Sequence, residues 1–122
     1  MATEFIRKTM ADVPTSAVPN TSNANNDLYT AGANTDSVII GLLLTNKSGA
    51  SVPADVMIEV QSGQGENVYL IKGAQVPVGS ALEVISGKVV VANTGSGTGD
   101  TLQVRCDTAS ALDATVSILE NT

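Results

Sequence analysis

Hydrophobic and polar positions along this chain change in runs of about five to ten residues, and most runs alternate with a period of two. Residues 52–60 are the clearest case: Val52, Ala54, Val56, Ile58 and Val60 fall on one face, against Pro53, Asp55, Met57 and Glu59 on the other. Such alternation is the signature of a strand with one face on a core and one in water. Residues 112–120 repeat it, with Leu112, Ala114, Val116 and Ile118 expected inward and Asp113, Thr115, Ser117 and Glu120 expected outward. In Leu102-Gln103-Val104-Arg105-Cys106 the apolar positions again share a face. Val38-Ile39-Ile40-Gly41-Leu42-Leu43-Leu44-Thr45 instead is continuously apolar, which predicts a strand buried on both faces with Ile40 and Leu42 deep inside.

Gly, Asn, Ser and Pro punctuate these runs at Asn46-Lys47-Ser48-Gly49, Gln61-Ser62-Gly63-Gln64-Gly65 and Gln75-Val76-Pro77-Val78-Gly79-Ser80. Further short strands are predicted over residues 67–72, 81–85, 88–92 and 101–106. No stretch after residue 38 keeps a helical period. About seven to eight strands spaced by turns predict an all-β fold, an antiparallel β-sandwich.

Residues 1–36 differ in texture. Apolar positions are sparse there, and Pro14, Pro19, Asn20, Asn23, Asn25 and Asn26 dominate the middle. Such composition buries too little apolar surface to offset its ordering entropy alone. The division expected is an extended N-terminal arm over 1–36, with short strands at 4–10 and 28–30, and a β-sandwich domain over 37–122. Gly32-Ala33-Asn34 reads as the turn after the second of these strands.

Composition then limits the chemistry. The 122 residues include no His, no Trp, one Cys, one Phe and two Tyr. General acid–base and covalent catalysis draw mostly on tuned His, carboxylate or nucleophile–base sets. No obvious set is present, so an enzyme is not expected, nor is a cofactor or metal. Cys106 has no partner for an intramolecular disulfide and reads as a small buried apolar residue. Twelve acidic and six basic residues give a net charge of −6, the wrong sign for a general nucleic-acid binder. The N-terminus lacks the layout of a signal peptide and no run approaches a bilayer span, so no membrane partner is expected.

Four sets of residues merit weighing against a purely structural role. Asn93-Thr94-Gly95-Ser96-Gly97-Thr98-Gly99-Asp100 has the glycine content of a phosphate-binding loop. It lacks the Lys-Ser/Thr pair and precedes a predicted strand, so a hairpin loop is expected. The acid pairs Asp55 with Glu59 and Asp100 with Asp107 fall on outward positions, which predicts a solvated surface. Asp27, Asn34 and Asp36 offer oxygens for a hard cation without the regular spacing of an EF-hand loop. Tyr29 and Tyr69 are too few for a stacking platform and are expected partly buried.

Several segments together resemble small virion structural proteins of tailed phages, above all those of cyanophages and other aquatic phages. They are Ser37-Val38-Ile39-Ile40-Gly41-Leu42-Leu43-Leu44-Thr45-Asn46, Val68-Tyr69-Leu70-Ile71-Lys72-Gly73-Ala74-Gln75-Val76-Pro77-Val78-Gly79-Ser80, Gly99-Asp100-Thr101-Leu102-Gln103-Val104 and the run from Ala109 to Glu120. Phe5-Ile6-Arg7-Lys8-Thr9 and Leu28-Tyr29-Thr30-Ala31 look like that family's N-terminal strands, with the Asn-rich segment as an insertion. The resemblance implies a β-sandwich component of the particle. Within it, a small acidic β-protein with a polar arm is similar to capsid decoration or cement proteins, which oligomerise over the shell. The expected partners are therefore a major capsid protein and further copies of the chain, and the expected location is the capsid surface of a virion made in the host cytoplasm. A neck, tail or fibre component is the alternative within the particle. A ligand-binding adhesin is the alternative outside that class.

Overall fold

The computed structural model describes residues 3–85, 87–95 and 97–122. Met1 and Ala2 of the expected arm and Ser96 of the glycine-rich stretch lie outside the described residues. The described residues form nine strands: β1 (Thr3–Met10), β2 (Asp27–Thr30), β3 (Thr35–Asn46), β4 (Val52–Glu59), β5 (Val68–Val76), β6 (Ala81–Glu83), β7 (Val89–Asn93), β8 (Thr101–Cys106) and β9 (Leu112–Asn121). They build two antiparallel sheets packed face to face, as the alternation requires; β3–β9 are the strands expected of the sandwich segment, and the two short N-terminal strands join the sheets beside them. One sheet runs β1-β9-β3, with β6 and β7 both paired to the far side of β3; the other runs β2-β8-β4-β5. We call these the five-stranded and the four-stranded sheet.

The core lies between the sheets and is made by the alternating positions. Ile39, Leu42 and Leu44 of β3 meet the inner face, as do Leu112, Val116 and Ile118 of β9 and Val56, Leu102 and Val104 from the opposite sheet. Each such side chain, fully removed from water, contributes about 1.5–3 kcal/mol. Cys106 is buried beside Leu102 and Val104, as the alternation predicted.

β3 is not buried on both faces. Ile39 and Leu42 are sequestered, whereas Ile40 is 46% exposed and Leu43 is exposed too. The register against β9 shifts between Ile39 and Gly41, so Ile40 is the extra residue of a β-bulge. The bulge restores the inward phase of Leu42 and Leu44 and leaves Ile40 outside. The expectation that Ile40 sits deep is therefore corrected.

Residues 3–36 are built into the sandwich. β1 pairs along β9 from Thr3↔Asn121 to Met10↔Ala114, and β2 pairs with β8. Between them the chain is tied to β8 and to the start of β9. Val13 N–H donates to Leu112 O (2.8 Å), Cys106 N–H to Pro14 O (3.0 Å) and Val104 N–H to Asn26 O (3.0 Å). Val13, Val18, Leu28, Tyr29 and Ala31 are buried. The two short strands stand where the sequence placed them, but the polar segment joining them lies along the sandwich rather than extending from it. Its low hydrophobicity is offset by backbone and amide hydrogen bonds to the domain.

The loop from β7 to β8 also differs from expectation. It passes from the five-stranded sheet to the four-stranded one, so it is a crossover and not a hairpin. Gly99 is required there: a Cβ would lie 2.6 Å from Asn93 Cβ and 2.7 Å from Ala31 O. No rotamer relieves contacts that close to backbone.

Candidate functional site

Among the described residues, polar side chains capable of chemistry gather at several places, the exposed ion pairs of Lys47 with Asp12 and Asp113 being one, and at each they are bonded to the protein itself. The first is on the outer face of the four-stranded sheet. β4 and β5 are out of register on both sides of Val56, and Gly73 adopts a left-handed φ of 66° opposite Asp55. Asp55 Oδ1 accepts the Gly73 N–H (2.7 Å), while Oδ2 accepts from Lys72 Nζ (3.2 Å) and Arg105 Nη1 (3.1 Å). Arg105 Nη1 also reaches Asp107 at 2.9 Å. Burial pushes the Asp55 carboxyl up, but the Gly73 amide, Lys72 and Arg105 outweigh it and hold the group below its ordinary value. Burial alone would lower Arg105, and its two carboxylate partners raise it instead. Asp55 was expected on a solvated surface with Glu59; it faces outward but is buried, and it clamps the bulge. Lys72 Nζ lies 5.1 Å from the ring centre of Tyr69, which is exposed rather than partly buried.

The second cluster fastens the N-terminal segment. Gln103, on the outer face of β8, accepts the Asn20 N–H (3.0 Å) and donates to Asn20 O (3.0 Å) and Asp27 Oδ1 (2.8 Å). Asn26 donates through Nδ2 to Ser16 O (3.1 Å) and Val104 O (2.9 Å) and accepts from Asn20 Nδ2 (2.7 Å). Asn26 and Gln103 are both buried. Nothing in the sequence signals this pair, because Asn in a polar stretch and Gln at an outward strand position are ordinary surface residues by pattern.

The third lies between the sheets. Tyr29 Oη is 2.5 Å from Glu120 Oε2 and 2.5 Å from Ser37 Oγ. Desolvation by burial, then the hydrogen bond to Glu120, pushes the Tyr29 phenol up to about 12. The phenol has one proton and gives it to Glu120, so Ser37 is the donor to Tyr29. Glu120 thus shares the inward phase of Ile118, which corrects its expected outward position.

The fourth surrounds the glycine-rich loop. Asp100 accepts the backbone N–H of Gln61 (2.7 Å) and of Ala92 (3.1 Å), and Asn93 donates to Gly97 O (2.8 Å). Gln61 Nε2 donates to Asn93 Oδ1 (3.2 Å) while its Oε1 accepts the Thr94 N–H (3.1 Å). A cleft of about 520 Å³ opens between this loop and the β4–β5 turn, lined by Glu59, Gln61, Ser62, Asn67 and Thr98 among others. Its only charged lining residue is Glu59, so an anion would find no cationic partner among the described lining residues. The loop also runs into a strand, β8, and offers no helix N-terminus.

The remaining sequence candidates are dispersed. Asp100 and Asp107 flank opposite ends of β8 and serve different partners. Asp27 is engaged by Gln103, Asn34 sits at a left-handed turn with φ 52°, and Asp36 is exposed on β3. Among the described residues no group of three or more acidic, Cys or His side chains is placed to hold a metal ion. Cys106 Sγ lies within hydrogen-bond reach of Thr108 O (3.1 Å) and Val13 O (3.4 Å), with one proton to give to either, and burial pushes the thiol up, away from thiolate reactivity. No helix among the described residues is long and apolar enough to cross a membrane.

What the fold leaves open is a face. On the outer side of the five-stranded sheet, pairing aligns Phe5 with Leu119, Leu119 with Val38, and Val38 with Val90 in one row across β1, β9, β3 and β7. Phe5 is 77% exposed and Val90 60%; Ile40 lies next to the row and Leu43 farther along β3, in register with Thr115, and both are exposed. Clustered exposed apolar side chains of this kind mark contact surfaces more often than scattered ones do. No family model and no curated protein matches the chain.

Proposed function

We propose that this chain is a structural protein of a tailed-phage virion, a capsid decoration protein that binds the outer shell and stabilises it, and not an enzyme. The observation that carries the reading is that the buried side chains with chemical capacity are used internally. Asp55, Arg105, Gln103, Asn26, Tyr29, Glu120 and Cys106 all bond to the protein's own strands and segments. Function then resides in surfaces. The resemblance of the strand segments to small virion proteins supports the particle as the place where those surfaces act, and the apolar row on the five-stranded sheet supports work within an assembly.

In this proposal the folded body makes the contacts, because residues 3–30 are held on the sandwich by β1, β2 and the Asn26–Gln103 cluster. A ligand that binds only the assembled shell stabilises it by mass action, so shells carrying the protein resist heat better than bare ones. The test is co-sedimentation of purified protein with undecorated shells, alongside thermal release of packaged DNA. Saturable binding with a higher release temperature is expected. Binding to isolated portal or tail complexes with none to shells would replace decoration by a neck or tail role.

A further inference from the structure

The outer face of the five-stranded sheet is self-complementary, and we propose that it is the interface of a two-fold dimer of this chain. The proposal does not rest on the virion reading. In the row described above, Phe5 stands on β1 at one edge of the sheet and Val90 on β7 at the other, with Leu119 and Val38 between them. Consider a two-fold axis parallel to the strands, lying between two such faces. It reverses the order of strands across the sheet and preserves position along them. Phe5 of each copy then meets Val90 of the other, and Leu119 meets Val38, so the apolar row packs on itself.

Charge follows the same symmetry. Arg7 is on the outer side of β1, two residues along from Phe5, and pairs in register with Ser117. Glu83 is on the outer side of β6 at the opposite edge, in register with Leu43. The same axis brings each Arg7 towards the Glu83 of the other copy, two residues (about 7 Å) away along the strands and within reach of a long guanidinium side chain. Two ion pairs would thus flank the apolar row. An unrelated partner gives no reason for complementary charges to occupy opposite edges of the sheet within reach of one another under this axis.

The size is sufficient. The sheet is four strands wide where β7 or β6 pairs with β3, three wide over the short gap between them, and β9 is 10 residues long. With strands about 4.8 Å apart and about 3.4 Å per residue, the face measures roughly 600 Å² per copy. The two faces together reach about 1,200 Å², the lower end for stable protein interfaces. Stacked sheets at about 10 Å separation would also enclose Ile40 and Leu43. The continuous apolar character of residues 38–44, unexplained by a face left in water, follows from a strand covered on both sides in the dimer.

The experiment is sedimentation velocity of the purified full-length chain over a concentration series at physiological salt. The wild-type protein is expected to pass from the 12.4 kDa chain to twice that mass. Phe5→Asp and Val90→Asp, both at exposed positions, are expected to raise the dimer Kd at least about tenfold with an unchanged circular dichroism spectrum. Arg7→Glu and Glu83→Arg should each weaken the dimer, and the double variant should recover most of the loss. A wild-type chain that stays monomeric up to about 1 mM would overturn the proposal. So would a dimer indifferent to Phe5→Asp and Val90→Asp, or a charge swap without recovery. None of these measurements uses shells, so their outcome is separable from that of the decoration reading.

Discussion

Removing the Asp55 carboxylate should cost more than a surface acid normally does, and the structure says how much of the loss each partner carries. Lys72 is 66% exposed on its side chain, so its ion pair is screened and adds little. The Gly73 amide belongs to an exposed residue and can turn to water when the carboxylate is gone. Arg105 is the costly partner: its side chain is 19% exposed and would keep one carboxylate, the half-exposed Asp107, beside the carbonyls of Thr15 and Cys106. A charge-assisted hydrogen bond to a mostly buried guanidinium sets the loss for Asp55→Ala at about 2–3 kcal/mol. For a domain of this size that is a fall of about 10 °C in Tm.

The pH dependence identifies the cause. The folded carboxyl lies below its ordinary 3.8, so the unfolded chain takes up the proton first as pH falls. The stabilisation is present above that value and is lost as pH drops through the folded one. Urea unfolding of wild type and Asp55→Asn should therefore differ near neutral pH and converge in acid. A difference below about 1 kcal/mol at neutral pH, or one that acid leaves unchanged, would refute the assignment of Asp55 as the clamp of the β4–β5 bulge.

Other expectations follow from the same reading. Leu42→Ala should cost about 2–5 kcal/mol in urea unfolding and Ile40→Ala less than about 1, because only the first leaves a cavity in the core. Above pH 10 the folded protein keeps a Tyr29 proton that the unfolded chain gives up, so stability falls with rising pH towards about 12. Unfolding of Tyr29→Phe across that range should lack this part of the slope. Hydrogen exchange should find the Val104 and Cys106 amides protected, since they donate to Asn26 and Pro14; rapid exchange would mean that the N-terminal segment is detached. Asn26→Ala should speed exchange at Val104 and lower stability by about 1–3 kcal/mol through buried groups left unpaired.

Much of the architecture was legible because strand burial imposes a period of two. β4, β8 and β9 alternate with little exception, so their inward faces could be read directly from Val52 to Ile58, from Leu102 to Cys106 and from Leu112 to Ile118. Periodicity failed where geometry departed from a regular strand. The bulge at Ile40 has no composition signal, and a run of apolar residues reads the same whether its second face is covered by the chain or by something else. The polar contacts were less visible still. Asn26, Gln103 and Asp55 lie at positions that pattern assigns to solvent, and their burial depends on a loop and a bulge that bring distant residues over them. Residues 1–36 look unable to order themselves because the composition of the segment shows none of its partners. On β8 and β9 the partners of residues 3–30 come from about seventy to a hundred and twenty positions away.

The proposed place of this protein on a phage shell is tested by quantitative mass spectrometry of purified virions, paired with imaging of the intact particle. A decoration protein is expected in a fixed ratio to the major capsid protein, with matching sandwich-shaped density repeated over the outer shell. Its absence from particles, or density confined to a single vertex or the tail, would overturn the proposal.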